Sequence, residues 1–518
     1  MSNRLDYCML LDITMKSFLF VLAIIPSVVF SQKHDYIWLA GDANTPNDST
    51  KGGLVIDFHI TPPHKYYNYR ELNFRSCNTS VCDTAGNLLF YSNGCDIAGA
   101  DDEILENGET INPGYVHQIR CDPYGYYTSG YQSILTLPTP DSTNLYYLFH
   151  KRVIIIDNPF DIKVDKLFYS KVDMNQNNGK GKVVAKNVEI MSNDIAYGEM
   201  TAVKHANGKD WWLVTLKRNS NVFYCFLLTK NGIIDTLSQE IGELPVKQAE
   251  GGIQMLFSPD GSKLFRSIPS GPVMVYDFDR ENGIFTNFDT IHVDYGNWPS
   301  IANGAAVSPN GRYLYVSAEL RIYQFDLWSD NISASQTTAA EWDGFKAPVG
   351  TLFGICQLGP DCKIYVVTID SKYYHVINSP DEPGLACDVA QHSFILPTSS
   401  GASMPVFPNY RLGPLDNPGV PCTATVSVSA GPEAKPGRVR VYPNPAREKI
   451  TFSWAESMAG EKRLLLCNTL GQVVKDLRLA GNGYAYTLSI SDLPAGVYFW
   501  EVCIEGGKRI DAGKVVRQ

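Results

Sequence analysis

The chain has 518 residues, of which 44% are apolar, 12% aromatic and only 19% charged, and its formal charge is −10. This composition excludes a disordered or low-complexity protein, and the acidic balance argues against nucleic acid as a partner. Twenty-nine Tyr and 42 Gly favour β structure broken by many turns, in one large domain and one small one. The first element is a leader. Met15-Lys16, an apolar run over 18–25 and the small-residue end Val29-Phe30-Ser31 predict a secretory signal peptide spanning 1–31, cut ahead of Gln32. Residues 1–14 add no pattern, so Met15 is a candidate start. Cys8 lies upstream of the apolar run, so a lipoprotein is not expected. No other stretch approaches 18 apolar residues, so no transmembrane span is expected.

From Gln32 to 421 the chain repeats itself. The plain copies are Phe257-Ser258-Pro259-Asp260-Gly261, then Val307-Ser308-Pro309-Asn310-Gly311, then Leu358-Gly359-Pro360-Asp361-Cys362, each running on into an apolar strand. Weaker copies sit at 83–87, 140–144 and 205–210. Pro presets φ for a tight turn, and Asp or Asn followed by Gly supplies its far side. A second hairpin signal often follows, as at Asn231-Gly232 and Asn282-Gly283. Two hairpins in a unit of roughly 50 residues make a four-stranded propeller blade. The Ser-Pro-Asp-Gly copies resemble WD40-like and TolB-type repeats. The expectation is an all-β, about seven-bladed β-propeller, whose last blade is finished by residues 404–413.

Eleven of the twelve cysteines follow the leader, where export permits disulfides. Two close pairs, Cys77 with Cys82 and Cys356 with Cys362, each bracket a hairpin-sized loop and are candidate bridges. Cys225, in an apolar run, is the candidate free core thiol. Neither close pair has zinc-ligand spacing, and no His pair accompanies them.

Chemistry is sparse in the body. It holds no G-x-S-x-G, no H-E-x-x-H, no phosphate loop and no dinucleotide fingerprint. The nine His, at 34, 59, 64, 117, 150, 205, 292, 375 and 392, read as surface or loop residues. Asp173 to Gly179 begins like a calcium loop, but Gly falls one place late and Val184 stands where Glu is needed, so a solvated turn is expected. Asp42-Ala43-Asn44 with Asn47-Asp48 is a similar oxygen-rich loop. Asp101-Asp102-Glu103 are adjacent, whereas glycosidase acids face a substrate from two sides; a solvated loop is expected. Tyr66-Tyr67-Asn68-Tyr69-Arg70 and Tyr124-Gly125-Tyr126-Tyr127 are aromatic clusters that suit either carbohydrate or protein contact or packing between blades. No catalytic residue, metal or cofactor is assigned.

Residues 422–437 are small, polar and Pro-containing, as in a flexible linker. The tail that follows carries 12 basic and 8 acidic side chains, so the body holds about −14. Short period-two runs over 438–518 predict about seven strands of an immunoglobulin-like sandwich. Within it stand Pro443-Asn444-Pro445, Leu470-Gly471-Gln472, Ala495-Gly496-Val497-Tyr498 and the closing Lys514-Val515-Val516-Arg517. This order and spacing resemble the type A sorting domain of the type IX secretion system of Bacteroidetes-type bacteria. Pro443, Asn444, Pro445, Gly471, Gly496, Tyr498 and Lys514 carry the resemblance. It implies a tail recognised by the outer-membrane secretion machinery, and often removed as the cargo is released or attached to surface lipopolysaccharide. A secreted or surface propeller that binds a glycan or a protein is the expected product. The alternatives are a carbohydrate hydrolase or lyase, and a structural spacer.

Overall fold

The repeated turns close by side-chain chemistry. Asp260 Oδ1 accepts from Ser258 Oγ (2.5 Å) and Ser262 N (3.1 Å), while Gly261 N donates to Ser258 O with φ at 75°. A Cβ on Gly261 would meet Val203 Cγ2 at 2.6 Å, so this position needs glycine both for its left-handed backbone and for the close approach of the neighbouring strand. The second copy repeats the pattern with Asn310 in place of Asp. In the third, Cys362 occupies the left-handed position, at φ 65°.

The computed structural model describes residues 32–41, 51–75, 77–244, 253–297, 304–402 and 404–422, and in the tail 439–442, 446–454, 462–468, 472–479, 485–504 and 509–517. The expected leader, most of the linker, the Asp42–Asp48 loop, Pro443, Asn444, Pro445 and Gly471 lie outside them. The chain divides into two compact units, residues 1–425 and 426–518.

Seven antiparallel sheets fill the first unit in chain order. Blade 1 is Ile37–Ala40, Leu54–Asp57 and His64–Tyr67; blade 2 is Thr79–Cys82, Leu88–Ser92 and Ile97–Gly99. Blade 3 has Ile134–Pro138, Leu145–Asp157, Phe160–Asp173 and Lys182–Ile195; blade 4 has Thr201–Lys204, Trp211–Leu216, Val222–Thr229 and Gly232–Glu240. Blade 5 is Gln254–Phe257, Lys263–Ser267, Val273–Asp279 and Ile284–Ile291. Blade 6 is Gly304–Val307, Tyr313–Ala318, Arg321–Asp326 and Thr337–Glu341, and blade 7 is Cys356–Leu358, Ile364–Val367, Tyr373–Ile377 and Val389–Ile395. First strands such as Thr201–Lys204 and Gly304–Val307 are buried throughout. The fourth strand of blade 4 alternates toward solvent. This is the gradient from axis to rim that a propeller requires.

The blades are laced across the axis by two buried glutamines. Gln132 Nε2 donates to Met255 O (2.6 Å) and its Oε1 accepts from Met255 N (2.7 Å). Gln254 Nε2 donates to Cys356 O (2.6 Å) and its Oε1 accepts from Ala305 N (3.0 Å). Blade 1 departs from the repeat. The partners Cys82 N with His34 O, Ser80 Oγ with Ile37 O and Asn78 Nδ2 with Leu39 O run in opposite order, so its first strand is antiparallel to that of blade 2.

Residues 404–413 do not finish a blade. Pro405 and Pro408 withhold ladder donors, and the segment runs instead as a strap across blade ends. Tyr410 is fully buried and its OH donates to Thr136 O (2.8 Å), Asn409 reaches Pro259 O (2.8 Å), and Arg280 donates to Gly413 O (2.5 Å). Arg411 forms a two-pronged ion pair with Asp35 at 2.9 and 2.5 Å.

The expected bridges are corrected. The structure pairs Cys95 with Cys121 and Cys362 with Cys422, and leaves Cys77, Cys82 and Cys356 as buried thiols. Cys77 and Cys82 lie along one extended run, about 16 Å apart at strand rise, too far to bridge. Cys356 pairs in register with Val366, at the opposite end of its hairpin from the turn that holds Cys362. Cys225 is a buried free thiol, as expected, and burial pushes it up to about 12.

In the second unit two sheets share one core. One is Val439–Tyr442, Lys449–Trp454 and Ala485–Ser489; the other orders Val473–Leu479, Lys462–Cys467, Gly496–Ile504 and Arg509–Arg517. Ile450, Phe452, Leu464, Leu466, Trp500 and Val515 fill the space between them.

Cys362–Cys422 closes a 60-residue separation and ties the end of the strap to blade 7. Chain-entropy arguments assign such a bridge about 4 kcal/mol. Replacing both cysteines by Ser is expected to lower unfolding stability by about 2–4 kcal/mol in thermal or denaturant melts. An unchanged midpoint would mean that Tyr410 and Arg411 hold the strap without it.

Three buried histidines make the fold acid-sensitive. Burial pulls His34 down to about 4, His150 to about 3 and His375 to about 4. His375 is locked neutral: Nδ1 accepts from His392 N (2.9 Å) while Nε2 faces Thr351 O (2.9 Å). With folded values below the unfolded one, the unfolded chain binds more protons between about pH 4 and 6.5, so stability falls as pH falls through that window. Calorimetry at about pH 5 should show an uptake on unfolding that exceeds the carboxylate contribution by nearly three protons; replacing His150 by Gln should remove about one.

Candidate functional site

The axis of a propeller is where side chains from distant blades converge. The space there is a cavity of about 90 Å³, lined by the first strands of blades 4 to 7 and by strap residues 406–412. Its charged groups, Asp35 and Arg411, are committed to each other. The laced glutamines and the strap leave room for a few waters.

A larger opening lies at the seam between blades 1 and 2, a cleft of about 430 Å³. Among the described residues each of these blades has three strands, and loops rather than a fourth strand reach the seam. Blade 1 supplies Asp57 at the end of its second strand, His59 in the following turn, Tyr66 in its third strand, and Asn68 and Arg70 just beyond. Blade 2 supplies Asn87 from its first turn and Asp102 from the loop after its third strand, with Asp102 in the left-handed region at φ 63°.

Arg70 is the centre of this arrangement. It is 3% exposed, its Nη1 lies 3.4 Å from Leu54 O, and its Nε sits 3.4 Å from Asp102 Oδ1 without making a hydrogen bond. Burial pulls the guanidinium below its usual value and Asp102 opposes that shift; an arginine stays cationic even so. Asp102 also accepts from Asn68 Nδ2 (2.6 Å) and Tyr91 OH (2.8 Å). Asp57 Oδ1 accepts from His59 N (2.9 Å) and contacts His59 Nδ1 (2.7 Å), which turns the imidazole edge along the cleft. Tyr66 is 39% exposed; partial burial first, then the Asp57 carboxylate, push its phenol above the usual value. A half-exposed ring beside rigidly held donors and acceptors can take a small polar ligand with one apolar face.

Of the residues singled out in the sequence, Tyr66, Asn68, Arg70 and Asp102 meet here. Asp102 is therefore an anchor for a buried cation and not merely part of a solvated loop. Asp57 was missed, since no local pattern marks it, and Asn87 was marked only as part of the weak turn copy at 83–87. Tyr67 and Tyr69 do not line the cleft. In the other cluster Tyr124 ends the helix Tyr115–Tyr124, 54% exposed, whereas Tyr127 is buried and its OH accepts from Val153 N (2.9 Å). Asp173 to Gly179 is a hydrogen-bonded turn in which Asp173 accepts from Asn175 N and Gln176 Nε2. Among the described residues no group of three or more His, Cys, Asp or Glu could hold a metal ion.

In the tail, Gly496 opens a strand with φ 159°, near extended rather than in a turn. Tyr498 is buried, with its OH donating to Pro494 O (2.7 Å), and Lys514 stands opposite Phe499 in the last strand pair.

Residues 440–516 match the family described as Secretion system C-terminal sorting domain. The first unit is a β-propeller, and solved propellers are similar to it in fold. The Cps50 (Swd1) β-propeller domain of Myceliophteria thermophila is 11% identical, with TM-score 0.35, over 64% of this chain and 94% of that one. The dihydro-heme d1 dehydrogenase NirN is 10% identical, with TM-score 0.36, over 88% of this chain and 75% of its own. Sqt1 of Saccharomyces cerevisiae is 11% identical, with TM-score 0.34, over 70% and 88%. No curated protein matches the chain. The chain is a secreted cargo that carries a type IX sorting tail behind a propeller. Among the described residues no helix is long and apolar enough to cross a membrane.

Proposed function

We propose that this protein is a carbohydrate-binding propeller delivered to the cell surface or beyond by its tail. In this reading residues 1–31 direct export to the periplasm and are removed. Residues 32–421 are the working propeller, 422–437 a tether, and 438–518 the signal read by the secretion machinery at the outer membrane. The observation that carries the binding role is the Arg70 cleft, where one exposed ring and several fixed polar side chains from two blades face a single opening of about 430 Å³. Hexose rings present both an apolar face and a hydroxyl edge, and this lining offers a partner to each. Protein binding on the same cleft and a spacer role remain alternatives for the same fold.

A hydrolase reading draws on Asp57 and Asp102 lining one cleft. The geometry favours binding over it, because both carboxylates are already committed to fixed donors: Asp102 to Asn68, Tyr91 and Arg70, and Asp57 to His59. A general acid and base need to meet the substrate instead.

Deleting residues 438–518 is expected to leave the protein in the periplasm, read by fractionation and immunoblotting; normal surface or culture-medium levels would overturn the sorting role. On a printed glycan array, the full-length protein is expected to bind a saccharide, and Tyr66→Ala to weaken that binding about tenfold without lowering Tm, since the ring is only half buried. Array silence, or equal binding by the variant, would remove the cleft from the account.

A further inference from the structure

A second opening, separate from the Arg70 cleft, lies between blades 5 and 6. It is a groove of about 340 Å³ lined by Pro259, Asp260, Ser262 and Lys263 of one repeated turn, Asn310 of the next, and Pro418 beyond the strap, with Trp328 at its side. Trp328 follows the third strand of blade 6 and is 66% exposed. A large indole left in water needs a reason.

This indole is held in place. Its backbone N donates to Asp326 Oδ1 (3.0 Å), and Asp326 also grips Arg312, with Nη2 at 2.8 Å and Nε at 3.1 Å. The Arg312 guanidinium carbon then sits 5.3 Å from the Trp328 ring centroid, a cation–π contact. The polar side chains of the groove are fixed as well. Asp260 is held by Ser258 and Ser262, and Asn310 turns its Oδ1 onto Ser308 Oγ (2.7 Å) and Arg312 N (2.9 Å), which keeps its amide NH2 as the available donor.

We propose that this groove is a second carbohydrate site, in which a neutral sugar ring stacks on the free face of Trp328 and hydrogen-bonds to the turn residues Asp260, Ser262 and Asn310. Charge decides for a neutral ligand. Lys263 is paired with Asp277 and Arg312 with Asp326, so an acidic sugar would find both cations already neutralised while meeting Asp260. A proline-rich peptide fits less well, since such grooves need several aromatic rings and Pro259, Pro309 and Pro418 already form the ridges here. The groove and the Arg70 cleft both take in first-to-second-strand turns, Gly86-Asn87 in one and 258–263 in the other. With two sites on one rim, the fitting partner is a polymer engaged at both, with avidity set by the distance between them.

Native electrophoresis of the full-length protein through gels containing hydroxyethyl cellulose, laminarin, xylan or dextran tests this, with alginate as the acidic probe and a soluble proline-rich peptide as competitor. Indole fluorescence is followed in parallel. At least one neutral polysaccharide is expected to retard the protein and change its fluorescence. Trp328→Ala should weaken the retardation about tenfold and abolish the change, and Trp328→Phe, which lacks the reporting indole, should keep part of the retardation alone. Tyr66→Ala should leave the fluorescence change intact, which separates this site from the Arg70 cleft. Absence of retardation by every neutral polysaccharide, equal retardation of Trp328→Ala, or a Trp328-dependent signal with only alginate or only the peptide would overturn the proposal.

Discussion

The buried pair between Asp35 and Arg411 joins residues 376 apart and holds the two ends of the propeller to each other. Both side chains are less than a tenth exposed, so neither charge can be left alone without a large cost. Their pairing fixes where the strap crosses. Tyr410 is then pressed among His34, Trp211 and Phe407, and Asn409 reaches blade 5. Among the described residues blade 7 meets blade 1 through a single backbone bridge, Lys51 with Ser399, and exchanges no strand. The seam is closed by packing of Trp38 and Phe58 against Tyr365 and by Thr398 Oγ1 donating to Gly52 O (2.7 Å). A ring shut in this way depends on the strap more than one shut by a shared sheet would.

The same constraint decides where binding can occur. With the strap over the first strands and two glutamines lacing them, the axis holds only a small cavity. What remains open is the rim, where turns can vary without disturbing the lacing. Blades 1 and 2 open at their seam because, among the described residues, loops take the place of a fourth strand. Arg70 is then buried against Asp102 at a seam, where four-stranded blades pack sheet against sheet.

The repeat was legible because its turns are built locally. Ser-Pro-Asp-Gly carries its own hydrogen bonds, so the blades could be spaced from it, and the seven strands of the tail followed from period-two runs of comparable length. The strap was not legible. Met404 to Gly413 has the apolar content of a strand, and Pro405 and Pro408 together with the ring's need for closure send it across the blade ends instead. The disulfides failed for the same reason. Cys77 with Cys82 and Cys356 with Cys362 are near in sequence, but strands carry near neighbours apart, while Cys422 returns to Cys362 only because the strap does. Three of the cleft's polar residues stood in the Tyr66 to Arg70 segment. Asp57 could not be found, since its partner His59 is equally local and only the facing blade turns the pair into part of a cleft.

Trp328 shows where a sequence reading runs out in a second way. Trp328 closely follows the buried strand Arg321–Asp326, and Trp38 and Trp211 are themselves buried. What makes it different is Asp326, which is placed by the strand, caps the turn and draws Arg312 against the indole from one side. The arrangement consumes one carboxylate and one guanidinium to keep a hydrophobic ring in water. The first unit's chain leaves from this same rim, because Cys422 is tied to the turn at Cys362 and Arg411 bonds Pro421 O. Strap and exposed rings are therefore organised by one set of turns. The residues that repeat to build the blades are the ones that shape what the rim can hold.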